Sequence, residues 1–341
     1  MVRVAWATGL LCVAVSAALV LQVLRMRRRL ARRKRRAEAV IATWRPLLFE
    51  VVAGGSPRLP PLASAEEDAF LLLWLQLLDA IRGAPRANLA AVGETVGAHA
   101  LAHRRIRGTD AVGRILALRT LGYLRRPDDR AEVLRWLDDP RAYVSLAAAR
   151  ALVHLDPDGS ADDILPRLAT RTDWPIPLFA SVLEETSRSR LSARFRALCG
   201  ELPAPILVRV LPLASLVDAP IVDEILSWLL DPERDPEVLA AALRHVRGPA
   251  LLPAVRRTAV HERWSVRVQA AAALGRVGEP ADGELLLQMT RDPEWWVRYR
   301  AAQALAAGPF AAPEEIVARA AHLRDRFARD MVRQVLAEAH P

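Results

Sequence analysis

The chain has 341 residues, too many for one small core, so several domains or one repeat array are expected. Its net charge of +9 is concentrated in one place: RMRRRLARRKRR (25–36) holds nine basic residues and no acidic one, and the remaining 39 basic residues equal the 39 acidic ones. That balance argues against a broad nucleic-acid-binding face, so no specific nucleic acid is expected as a partner.

Other chemistry is excluded by residue type. Cys12 and Cys199 are too few and too far apart for a disulfide framework or a cysteine metal site. Lys34 is the only lysine, which removes Walker-type phosphate loops and Schiff-base chemistry from the folded region. Alanine and leucine dominate and strand formers are sparse, which predicts an all-α chain.

The N-terminus reads as an anchor. Val4 to Leu24, VAWATGLLCVAVSAALVLQVL, is uncharged, and as a helix it spans about 31 Å, close to the hydrocarbon thickness of a bilayer. A cleaved signal peptide is the competing reading, with small residues at Ser16-Ala17-Ala18. The charges that follow favour the anchor. Only Arg3 precedes the run, whereas Arg25, Arg27, Arg28, Arg29, Arg32, Arg33, Lys34, Arg35 and Arg36 follow it. The positive-inside rule then places the N-terminus outside and the rest in the cytoplasm. Those nine residues are expected to lie against anionic lipid headgroups.

Helix is expected to continue through AEAVIATWR and to break at Pro46. Gly54-Gly55 and SPRLPPLAS (56–64) read as a loop and linker. Ser64 and Glu67 have capping-box spacing ahead of DAFLLLWLQLLDAI, and Gly83 and Pro85 end that helix.

Beyond this point the chain repeats. Leu121, Leu152, Leu183, Leu213, Leu243, Leu274, Leu305 and Leu336 are spaced 31, 31, 30, 30, 31, 31 and 31 apart. Such a step is the signature of stacked helix pairs. Each leucine lies near the end of an Ala-rich segment, and Asp-Pro turns (139–140, 235–236, 292–293) precede several of them.

Trp264-Ser265-Val266-Arg267 running into AAAALGRVGEP, and Trp296-Val297-Arg298 running into RAAQALAAGP, resemble the HEAT repeat. The resemblance is strong over 261–309, good over 109–157 and 231–249, and weak over 160–220. In the weak stretch Pro175, Pro177, Pro203 and Pro205 suggest bent or displaced helices. The resemblance implies a HEAT-type αα-hairpin solenoid, which the apolar run at Val4–Leu24 places behind a single N-terminal transmembrane helix. The expected organisation is an anchor at 1–24, a basic juxtamembrane helix and Pro-rich linker at 25–63, and a solenoid at 64–341, with its clearest repeats at 109–157 and 231–309.

The layout also resembles a bacterial family of membrane-anchored HEAT proteins. The shared elements are the anchor, the Arg-rich stretch, Trp-Arg-Pro-Leu-Leu (44–48), Trp-Trp-Val-Arg-Tyr-Arg (295–300) and Arg-Asp-Met (329–331). This second resemblance implies a companion of a membrane glycosyltransferase in an exopolysaccharide system.

A search for catalytic residues yields little. His99 and His103 share a helix face, but no third metal ligand is evident, and they read as ordinary histidines. His261-Glu262 is a single pair where di-iron HEAT-type hydroxylases have several, and no Gly-x-Ser-x-Gly elbow occurs. No cofactor, metal or catalytic residue is therefore expected, and the reading is a non-enzymatic scaffold for membrane-associated protein partners. The alternative is an enzyme or cofactor-binding domain on a HEAT-like frame.

Candidate partner-binding residues are Trp295, Trp296, Arg298, Tyr299, Arg300 and Arg267. Trp295 and Tyr299 share a helix face, and Trp296 points about 100° away, so one tryptophan is expected to pack inward and the other to be exposed. Arg267 and Arg298 hold the repeat's arginine position. They are either an anion clamp or a structural ladder to the Asp of the turns.

Overall fold

The computed structural model describes residues 2–339, with the side chains of 2–18, 29, 30, 33 and 339 outside that description. The described residues are helical throughout, with no strand. They form two compact units, residues 1–155 and 156–341.

The first unit begins with α1 (Val2–Val52), followed by α2 (Glu67–Ala80), α3 (Ala84–Thr95) and α4 (Ala98–Ile106). It is completed by α5 (Ala111–Leu124), α6 (Arg130–Leu134) and α7 (Ala142–Leu155). Contrary to expectation, Pro46 does not break α1. Val40, Trp44, Leu48 and Val51 flank it on one buried stripe, and packing holds the helix together across the missing N–H. Trp44 meets Phe70 edge-on with ring centroids 4.6 Å apart, and the Trp74 indole donates to the Leu89 carbonyl at 2.7 Å. Residues 40–51, assigned from sequence to the basic helix and linker, thus share a core with α2–α5.

The predicted capping box does not form. Glu66 occupies the N-cap of α2 and no side chain caps it. Gly83 and Pro85 do not end α2, which stops at Ala80. They open α3, with Gly83 at φ 74° and Pro85 in the first turn.

The anchor expected at Val4–Leu24 falls mostly outside the described side chains. Among the described residues no helix is long and apolar enough to cross a membrane. Those at the end of the run, Leu19, Val20, Leu21, Val23 and Leu24, are all exposed, as are Met26 and the described basic residues of 25–36.

The second unit opens with α8 (Ser160–Ile164), α9 (Ile176–Leu183), α10 (Arg188–Glu201) and α11 (Ala204–Val210). Next come α12 (Ala219–Leu229), α13 (Pro236–Leu243), α14 (Leu252–Thr258) and α15 (Trp264–Val277). It closes with α16 (Asp282–Met289), α17 (Trp295–Ala307), α18 (Pro313–Ala321) and α19 (Arg326–Ala339). In the weak stretch the prolines do not bend helices. Pro175 and Pro203 sit at N-caps, with Pro177 and Pro205 in the first turns of α9 and α11. There α8, α9 and α11 are short, with 3₁₀ turns at Leu165–Ala169 and Leu211–Leu216, while α10 runs a full 14 residues.

All eight leucines of the 31-residue ladder are buried. The residue after two of them explains how successive second helices approach. A Cβ on Gly122 of α5 would lie 2.8 Å from the Ala151 Cα of α7, and one on Gly275 of α15 would lie 2.8 Å from the Ala304 Cβ of α17. The glycine of each Leu-Gly pair therefore marks a close crossing that any larger residue would wedge apart. Gly275→Ala should gain up to ~1 kcal/mol in helix propensity and lose about 1–3 kcal/mol to overpacking. A lower melting midpoint is expected, partly restored by adding Ala304→Gly; a raised midpoint would show that the crossing has slack.

Candidate functional site

The turns between repeats use one device. Asp110, Asp139, Asp235, Asp292 and Asp325 each accept a hydrogen bond from the backbone N–H two residues on. This fixes where the following helix begins. At three of them an arginine from the preceding second helix also reaches the aspartate. Arg114 approaches Asp139 at 3.6 Å, Arg267 clasps Asp292 with Nε and Nη2 at 2.6 and 2.8 Å, and Arg298 comes within 3.9 Å of Asp325. Each of these arginines also donates to the carbonyl six residues upstream: Gly108, His261 and Asp292.

Arg267 makes four hydrogen bonds in this way, two to Asp292 and two to the His261 and Glu262 carbonyls. Its geometry is that of a rung between repeats. Asp292 raises the Arg267 pKa through that bond, and Arg141, with Arg114 behind it, holds the Asp139 carboxyl below its usual range.

The tryptophans do not divide as expected. Trp295 and Trp296 are 50% and 57% exposed, and neither packs inward. Val297 takes the inward position, buried with Ala301, Ala304 and Leu305. The rings pack on each other instead. Trp295 stacks on Tyr299 with centroids 5.0 Å apart and planes 11° apart, and it meets Trp296 edge-on at 4.8 Å. The Tyr299 hydroxyl points to Glu338 at 3.5 Å. Arg300 is exposed. Arg298 lies over the exposed Phe327 ring at 6.0 Å.

Thus Trp295, Trp296 and Tyr299 come together as one aromatic cluster, Arg298 links to the next repeat, and Arg267 is taken up by the rung. Sequence reasoning missed two neighbours in the pattern. Trp264 is 45% exposed at the start of α15, and Phe327 is 62% exposed in the first turn of α19. Trp264 precedes Trp295 by 31 residues, and Trp296 precedes Phe327 by 31. The repeat period itself was the signal, since α15, α17 and α19 pack in series and present their N-terminal turns at equivalent positions.

The histidine pair also departs from expectation. Among the described residues, His99, His103 and Asp129 form a group close enough to hold a metal ion. The third ligand was not legible because it lies in a different helical element, 26 residues beyond His103. Cys199 is buried, and burial pushes its thiol up to about 12, so it is no nucleophile at neutral pH.

Removing either indole should spare the fold. Trp295→Ala and Trp296→Ala are expected to melt close to the parent, whereas Leu305→Ala, in the buried ladder, should cost about 2–5 kcal/mol. Early melting of both tryptophan variants would mean the cluster is core.

Residues 222–306 match the HEAT repeats family. No curated protein matches the chain. Among solved structures, the crystal structure of an engineered protein is similar at 14% identity, covering 86% of this chain and 99% of that one, with a TM-score of 0.27. A superposition that loose says nothing about function. The family match and the helix pairs agree on one conclusion: this all-helical chain carries HEAT repeats of the α-solenoid kind in its second unit.

Proposed function

We propose that the chain is a membrane-tethered interaction scaffold whose second unit takes a protein partner along the edge marked by Trp295, Trp296 and Tyr299. HEAT repeats in general serve protein–protein interaction, and a stacked solenoid offers surface without needing a catalytic pocket. The observation that carries the reading is the exposure of two adjacent indoles on a frame whose repeat-position Arg267 is already engaged. Clustered Trp and Tyr beside Arg is the composition of binding hot spots. Trp264 and Phe327 extend the edge by one repeat on either side.

Tethering rests on the N-terminal segment. The uncharged run at Val4–Leu24 serves as the anchor, the basic residues of 25–36 meet anionic headgroups, and the chain from Arg25 onward lies in the cytoplasm. Confinement to the membrane plane raises the effective concentration of membrane-associated partners. The resemblance of the whole layout to membrane-anchored HEAT proteins supports a membrane glycosyltransferase of an exopolysaccharide system as that partner.

Photo-crosslinking residues introduced one at a time tests the edge. In native membranes, position 296 and position 264 should capture the same protein, and position 314 on α18 should not. Equal capture from 314, or none from 295 and 296, would move the interface elsewhere.

A further inference from the structure

His99 and His103 lie one turn apart on α4, with ring centroids 4.5 Å apart. Their Nε2 atoms face each other at 3.2 Å. Asp129, at the end of the 3₁₀ turn Pro127–Asp129, is buried and points its carboxylate between them. Its Oδ1 stands 3.1 Å from His99 Nε2 and 2.9 Å from His103 Nε2. Three donor atoms therefore form a triangle with sides of 2.9–3.2 Å. Around a tetrahedral Zn²⁺ with bonds of about 2.0–2.1 Å, neighbouring ligand atoms stand roughly 3.3 Å apart. The triangle is one face of such a tetrahedron, short by a few tenths of an ångström.

The surrounding groups distinguish the two histidines. His103 Nδ1 lies 2.8 Å from a Glu132 carboxylate oxygen, which accepts its N–H. That bond turns the lone pair of Nε2 toward the triangle, the usual support for a metal-ligating imidazole. His99 has a different neighbour. Arg126 Nη1 is 3.3 Å from its Nδ1, and the same guanidinium pairs with Glu94 through Nε at 3.0 Å and through Nη2. Arginine can only donate, so this contact holds the His99 proton on Nε2, facing Asp129. Metal entry at Nε2 needs that proton to move to Nδ1, and Arg126 to withdraw onto Glu94 so that Nδ1 can carry it.

We propose that His99, His103 and Asp129 bind a divalent first-row transition metal, with Zn²⁺ the best fit to two imidazoles and one carboxylate. Both histidine side chains are about a quarter exposed (23% and 26%), so the fourth position opens to water. The ion would clasp α4 to the turn that leads into α6. Arg126 sets the affinity by competing for His99.

The test uses the full-length chain and the metal ions alone. Isothermal titration with Zn²⁺ should show one site per chain, and Co²⁺ should give the intense visible absorption of a four-coordinate site. Zn²⁺ should also raise the melting midpoint, because it binds only the folded state. His99→Ala, His103→Ala and Asp129→Asn should each abolish binding, while His322→Ala, on the surface of the second unit, should leave it unchanged. Glu132→Gln should weaken binding about 10–100-fold, and Arg126→Gln should tighten it, since both act on the proton opposite a ligating nitrogen. The wild-type titration decides the question even if a variant fails to fold. Absence of Zn²⁺ and Co²⁺ binding to the parent chain, or undiminished binding in His99→Ala and His103→Ala, would overturn the site.

Discussion

The repeats depend on a rung that recurs at Asp139, Asp292 and Asp325: an arginine early in one second helix reaches the aspartate of the next turn. The aspartate also accepts the N–H two residues on, so one carboxylate fixes the start of its own helix and ties it to the previous one. At Asp292 this holds the first turn of α17, where Trp295 and Trp296 emerge. The rung is partly buried (13% and 9% side-chain exposure at Arg267 and Asp292), so breaking it leaves one charge poorly solvated and unpaired. A surface pair of the same length would count for far less.

The rung works with a steric rule one turn from the helix end. Gly122 and Gly275 let α7 and α17 come close enough that only alanine fits opposite. The buried leucine before each glycine fills the space beneath. At the other end of α17 the buried position goes to Val297, and the aromatic rings on either side of it stay at the surface, where Trp295 packs on Tyr299 and Trp296.

Much of this was legible in the sequence. The leucine ladder marked the core correctly even through the weak stretch, because burying one large residue per repeat is needed whether or not the rest of the motif survives. The Leu-Gly pairs at 121–122 and 274–275 make the same close contact, although the family match covers only 222–306. Pro46 misled because local preference was overridden by the packing of Trp44 and Leu48 on either side of it. The tryptophan pair misled because helical angles say that two residues diverge but not that Val297, the next residue, is the one turned inward. Asp129 was invisible beside His99 and His103 because only the fold brings a 3₁₀ turn against α4. The sequence spacing of two ligands on one helix carried no information about a third from elsewhere.

If the arginine position of the repeat serves the frame and the aromatic edge serves the partner, the two residues of a rung must act as one unit. The most direct measurement is the melting midpoint of Arg267→Gln, Asp292→Asn and the two combined. Asparagine at 292 keeps an acceptor for the Glu294 N–H, so the comparison isolates the link between repeats. The double variant is expected to melt no lower than the worse single one, because either change alone already breaks the pair. Losses that simply add, or singles that melt like the parent, would contradict the rung and return Arg267 to the list of residues available to a partner.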